Sequence, residues 1–198
     1  EPLAVIREKD LVIFFNFRTD RGRQLTEVLT QTDMKDKGME TLDLEFVTFT
    51  SYDDTFKGIK VLFQNPDLKE TLGEVISRAG RKQIRIAETQ KYPHVTYFLS
   101  AGREEEFEGE ERIMVKSSNV DTYDQKPEMS AYGIRDRIIP KLNEKKADFI
   151  ALNFANLDMV GHTGVFEAAK EASRAVDECA KKVAEAAIEY VVPGTVIG

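Results

Sequence analysis

At 198 residues the chain can form one large domain or pieces of two, and 41% hydrophobic with 32% charged residues reads as a globular protein at home in water. A net charge of −7 argues against nucleic acid as a partner, and no apolar run approaches the roughly 18 residues that a membrane span needs. With Cys179 alone there is no intrachain disulfide, and no secretory segment stands near the start, so the expected setting is a reducing cytoplasm.

The chain opens at Glu1-Pro2 and stops at Gly194-Thr195-Val196-Ile197-Gly198, where an apolar strand has only begun, so it is expected to be a piece of something longer. Leu11 to Phe17 is nearly continuous apolar sequence and predicts a buried strand. A helix follows from Asp20, with Thr19 as its N-cap and Leu25, Val28 and Leu29 on one face. At this junction Arg18 and Arg21 stand three apart beside free helix N–H groups, an arrangement that holds a phosphate or carboxylate. Pairing with nearby acids is the equal alternative. Leu44 to Thr50 alternates like a half-buried strand. Asn65-Pro66-Asp67 then marks a candidate domain junction and introduces a helix carrying Leu68, Leu72, Val75, Ile76 and Ala79, which Gly80 ends.

Gln83 to Ala87 and Ile113 to Val115 predict short strands, and the six glutamates between Arg103 and Arg112 predict a solvated loop. In Ala87-Glu88-Thr89-Gln90-Lys91-Tyr92-Pro93-His94-Val95-Thr96, a helical face formed by Tyr92, Val95, Phe98 and Leu99 leaves Lys91 near a first turn. As a point charge Lys91 suits a phosphate, although a solvated lysine fits the bare pattern better, and His94 reads as structural. Phe149 to Phe154 predicts another buried strand, and Asp158-Met159-Val160-Gly161-His162 follows it directly. Ligands bind at that edge of an open α/β sheet, and an Asp with a His supplies the oxygen and nitrogen donors that Mn²⁺ or Zn²⁺ accepts. A turn-capping Asp with a surface His is the bland counterpart. From Val165 to Tyr190, Val165, Ala169, Ala172, Val176, Cys179, Val183, Ala186 and Tyr190 form one apolar stripe, which predicts a long helix covering a sheet. The alternation of helical and strand patterns gives an α/β class.

Four stretches together resemble the cofactor-independent (2,3-bisphosphoglycerate-independent) phosphoglycerate mutases of the alkaline phosphatase superfamily. They are Phe14-Phe15-Asn16-Phe17-Arg18-Thr19-Asp20-Arg21, the Ala87 to Thr96 stretch, Thr122-Tyr123-Asp124-Gln125-Lys126-Pro127-Glu128-Met129-Ser130-Ala131, and Asn153-Phe154-Ala155-Asn156-Leu157-Asp158-Met159-Val160-Gly161-His162-Thr163-Gly164. The family usually has Pro where this chain has Leu157 and varies at Thr19 and Gln125. The chemical side chains stay in place.

The resemblance implies an alkaline-phosphatase-like open sheet covered by helices, together with the C-terminal part of an inserted α/β transferase domain. Residues 1–67 would belong to the substrate-binding transferase domain and 68–198 to the metal-binding phosphatase domain. It implies a glycolytic isomerase that interconverts 3-phosphoglycerate and 2-phosphoglycerate through a phosphoserine, with two Mn²⁺ in the complete enzyme. Arg18, Arg21 and Lys91 match substrate-binding residues, and Asp158 and His162 match two ligands of one Mn²⁺. The nucleophilic serine is expected before Glu1 and the remaining metal ligands also outside the chain, so the piece alone is expected to be inactive. A monomeric complete enzyme acting on a small phosphoglycerate, with neither nucleic acid nor membrane as partner, is the expectation. A phosphopentomutase or plain phosphatase of the same superfamily is the enzyme alternative, and a noncatalytic binding domain the alternative from another class.

Overall fold

Parallel strands joined by helices build both halves of the chain, which divides into two units, Glu1–Asp67 and Leu68–Gly198. The structure, a computed structural model, describes residues 3–64 and 68–190. The junction expected at Asn65-Pro66-Asp67 and the strand expected to begin near Val196 lie outside the described residues.

In the first unit β1 (Leu11–Phe14), β2 (Glu45–Thr50) and β3 (Ile59–Phe63) form a parallel sheet in the order β1-β2-β3, and α1 (Thr19–Thr30) links the first two strands. β2 alternates as its sequence predicts, with Phe46, Thr48 and Thr50 buried. β1 differs from its expectation. The strand stops at Phe14, and Leu11 and Ile13 are 63% and 60% exposed, because Val12 and Phe14 point to the face where Phe14 meets the rings of Phe46 and Tyr52 while the other face is open. Phe15 and Phe17 leave the strand and pack edge-on against Phe49 instead, at 4.5 and 5.3 Å between ring centres. β3 was not expected, although Ile59, Val61 and Phe63 carry the period of two that marks a strand.

α1 starts one residue earlier than its sequence suggests, with Arg18 rather than Thr19 at the N-cap. Its buried side is made by Gly22 and Thr26, and Leu25 is half exposed. Small residues on this side bring the helix close to Tyr52: a Cβ added at Gly22 would stand 2.9 Å from Tyr52 Cζ.

In the second unit β4 (Gln83–Glu88) lies between β5 (Glu110–Val115) and β6 (Phe149–Asn153), all parallel, and every residue of β4 is buried. The helices are α2 (Leu72–Arg78), α3 (Tyr92–Val95), α4 (Ala131–Asn143), α5 (Asn156–Gly161) and α6 (Phe166–Tyr190). Ile84, Ile86 and Val115 of the sheet meet Ile134 and Ile138 of α4 in the main core. Each isoleucine buried there contributes about 1.5–3 kcal/mol. The other side of β4 is polar: Gln83 and Arg85 are buried, with the Arg85 guanidinium 5.3 Å above the Phe149 ring.

That polar layer accounts for two departures from expectation. α2 buries Gly73 instead of its larger apolar residues, since a Cβ there would stand 2.7 Å from the Phe107 ring and 2.9 Å from Arg85 Nη2, and Leu72 and Val75 are exposed. The acidic run is solvated only in part. β5 begins inside it at Glu110, which is buried with its carboxylate 2.6 Å from Nε of the partly buried Arg112, so the pairing offsets the cost of taking that charge out of water.

The helix expected over Tyr92 to Leu99 closes after one turn, at Thr96, whose φ of −114° and ψ of −90° are not helical. α6 runs nearly as the stripe predicts, with Ala172 and Cys179 buried, but Ala168 and Ala175 join them and Val165 is exposed. It packs on α4 and α5 rather than on strands, because α4 already covers the sheet; Val183 still reaches the isoleucine core.

Candidate functional site

Parallel strands end together, so residues that follow neighbouring strands are brought to one edge. Lys91 ends the 3-10 turn that follows β4, and Asp158 lies in the first turn of α5, just past β6. Because β4 and β6 are neighbours, the two side chains meet: Lys91 Nζ forms an ion pair with Asp158 Oδ2. The lysine is largely buried, at 16% side-chain exposure, while the carboxylate is half exposed. His162 follows one helical turn later, with Nε2 3.6 Å from Asp158 Oδ1. The hydrogen bond from Lys91 holds the Asp158 carboxyl below its usual range, burial opposes this, and His162 and His94 lower it further.

His94, expected to be structural, is exposed and packs its ring 5.3 Å from that of Phe98.

The donor chemistry of Asp158 and His162 fits a divalent transition metal. Two donors about 2.1 Å from one ion at tetrahedral angles stand about 3.4 Å apart, close to the separation found here. Lys91 pairs with Oδ2, which leaves Oδ1 as the oxygen facing His162. Among the described residues no group of three or more His, Cys, Asp or Glu side chains is placed to hold a metal, so these two would be part of a ligand set.

The Thr122 to Ala131 motif supplies support for α5. Asn156, fully buried, donates through Nδ2 to the Pro127 carbonyl at 2.9 Å. Met129 is buried with a φ of 44° and packs with Ala155, Val160, Ala168 and Ala172. A non-glycine residue held in left-handed backbone costs about 1–3 kcal/mol, which this packing offsets. At the end of β4, Glu88 is buried and accepts from Ser117 Oγ at 2.9 Å and from the Ser130 N–H at the start of α4. Burial pushes its carboxyl up despite these bonds.

The other constellation belongs to the first unit. Arg18 and Arg21 are exposed at the first turn of α1, and neither has an ion pair with a described side chain; Arg21 donates to Gln24 Oε1 at 3.0 Å. Pairing with acids falls instead to Arg23, which meets Asp53 at 2.7 Å. The two arginines are left with donors directed to solvent beside a helix N-terminus, suited to an anion.

Residues 18–191 match the family model described as the metalloenzyme superfamily. The chain is 59% identical over 188 residues to a 2,3-bisphosphoglycerate-independent phosphoglycerate mutase of Flavobacterium johnsoniae, covering 95% of this chain and 37% of that protein. With the mutase of the same description from Bacteroides thetaiotaomicron it shares 54% identity over 185 residues, 93% of this chain and again 37% of the relative. The chain therefore spans a little over a third of the length of these relatives. Among solved structures, a phosphoglycerate mutase of Leishmania mexicana crystallised at low cobalt concentration superposes with a TM-score of 0.77 at 28% identity, over 94% of this chain and 34% of that one. The alkaline-phosphatase-like α/β fold is common to both. On the match over residues 18–191, the chain belongs to the metalloenzyme superfamily.

Proposed function

We propose that the complete protein is a phosphoglycerate mutase of glycolysis, interconverting 3-phosphoglycerate and 2-phosphoglycerate in the cytoplasm as a monomer, and that this chain supplies part of each of its two domains. The observation that carries the reading is the meeting of Lys91, Asp158 and His162 at the carboxyl ends of β4 and β6, in a chain 59% identical to a mutase of this description. Residues 1–67 contribute to the substrate-binding transferase domain and 68–198 to the metal-binding phosphatase domain.

In this reading Arg18 and Arg21 hold the carboxylate or phosphate of the glycerate through forked, charge-assisted hydrogen bonds while its other hydroxyl is presented. Lys91 places a fixed positive charge against the phosphate. Asp158 and His162 hold one of two Mn²⁺ ions. A bound metal would neutralise phosphate charge and favour the ionised form of a serine nucleophile that lies outside this chain.

Purified complete protein, loaded with Mn²⁺ and given 3-phosphoglycerate, is expected to form 2-phosphoglycerate, followed by coupling to enolase. Failure to form it in the metal-loaded protein would overturn the proposal. Under the same conditions residues 1–198 alone are expected to give no turnover, because two metal donors and two arginines do not replace a nucleophile.

A further inference from the structure

Two side chains behind the arginines set the backbone that presents them. Asn16 lies between β1 and α1 and brackets Arg18: its Oδ1 accepts the Arg18 N–H at 3.0 Å, and its Nδ2 donates to the Arg18 carbonyl at 2.8 Å. Arg18 is the N-cap residue of α1, yet no side chain caps the helix from that position. The asparagine thus fixes the turn from outside the helix. The Asn16 carbonyl in turn accepts the hydroxyl hydrogen bond of Tyr52, which follows β2 and is 7% exposed. The Tyr52 ring packs edge-on against Phe14, 5.6 Å between centres, and lies beneath Gly22. A Cβ at Gly22 would stand 2.9 Å from Tyr52 Cζ and 3.0 Å from Asn16 Nδ2, so the ring, the amide and the first turn of α1 are in close contact at the residue after Arg21.

We propose that Tyr52 and Asn16 are positioning residues that hold Arg18 and Arg21 in the geometry that receives the anionic group of the substrate. The inference rests on the reading of these arginines as substrate-binding. Neither positioning residue needs to touch the ligand. Their hydrogen bonds fix the peptide groups on both sides of Arg18 and the approach of α1 to the sheet, and thereby the origin and direction of both guanidinium arms. Burial pushes the Tyr52 phenol up, so it remains a donor at neutral pH. A mispositioned pair still carries two positive charges, so what is lost is the simultaneous fit of two forks to one small anion.

The test uses the complete protein in the phosphoglycerate mutase assay. Tyr52→Phe removes one oxygen and keeps the ring. Asn16→Asp keeps the acceptor for the Arg18 N–H and loses the donor to its carbonyl, and Asn16→Ala loses both. The expected result is a rise in KM for 3-phosphoglycerate of about fivefold or more in Tyr52→Phe and Asn16→Ala, with kcat within about twofold of wild type and a melting temperature lowered by no more than a few degrees. Asn16→Asp should fall between wild type and Asn16→Ala. Arg18→Lys and Arg21→Lys run beside them separate the two ideas. If these raise KM while Tyr52→Phe and Asn16→Ala leave it at the wild-type value, the positioning role is overturned. It is also overturned if both latter variants lose stability and lower kcat without a selective rise in KM, since that is the signature of a purely structural role. If the lysine variants are themselves silent, the substrate reading of the arginines fails instead.

Discussion

At the exit of β1 the arginines stand exposed with no ion pair to a described side chain, whereas at the exits of β4 and β6 Lys91 and Asp158 are already paired. The first arrangement can receive an anion without giving up an existing ion pair. In the second, Asp158 is already held by Lys91 through Oδ2 and turns Oδ1 toward His162. The surroundings differ in the same sense. No charged residue in the described part of the first unit is fully buried, while the second buries Arg85, Glu88 and Glu110 within or at the end of its strands. A site that only binds can stand on a short helix and a turn; one that must hold several charges against each other is backed by a fully buried strand.

The largest effect is expected at the paired site. In the complete protein Asp158→Ala or His162→Ala should remove one metal equivalent and reduce turnover by more than about 100-fold, since even residues behind metal ligands account for about 10–100-fold. Metal content by elemental analysis, measured beside turnover, checks this. Full stoichiometry with wild-type turnover would remove both residues from the metal site and leave the ion pair as a surface contact.

Next is the loss of fork geometry at the other site. Arg18→Lys and Arg21→Lys keep the charge and lose the planar pair of donors, and hydrogen bonds to charged groups contribute about 1.5–3 kcal/mol each, so kcat/KM should fall about 10- to 100-fold in each. The comparison sharpens if metal content stays at wild type in both. A matching loss of metal would mean that the two sites are not chemically separate.

How much of this was legible follows the same division. Period and strand ends placed α6, β2, β4 and β6, and the exits of β1, β4 and β6 carried every candidate residue. What escaped was set by partners far away in sequence. Nothing local marks Gly73 as the buried residue of α2, because Arg85 and Phe107 decide it, and nothing local shows that β5 extends back to Glu110, because its pairing with Arg112 removes a charge that composition assigns to solvent. The apolar run of β1 predicted burial on both faces, but only one is covered in the described structure.

A smaller effect is expected from the support of α5. Asn156→Ala removes the buried hydrogen bond to the Pro127 carbonyl and leaves that acceptor unsatisfied, which costs about 1–3 kcal/mol. Unfolding of the complete protein with and without Mn²⁺ measures it. If the Thr122 to Ala131 loop holds Asp158 in place, metal affinity should fall as well, by about tenfold. A stability loss at unchanged affinity would confine Asn156 to the fold.

The smallest effect tests the buried charge itself. Glu88 has a folded-state pKa raised above the ordinary 4.5 by burial, which outweighs its hydrogen bonds from Ser117 and Ser130. A carboxyl with a raised folded pKa binds its proton more tightly in the native state. Its contribution to stability is therefore fully present below the unfolded value and is lost as pH rises through the folded value. Glu88→Gln cannot ionise, and the hydrogen bonds it alters shift its stability by an amount that does not depend on pH. The difference in unfolding midpoint between wild type and Glu88→Gln should thus move against the wild type from about pH 4.5 upward and level off once the native carboxyl is ionised. A difference that stays flat across that range would show that β4 holds Glu88 at its ordinary pKa, and the contrast between a unit that buries charge and one that displays it would lose this support.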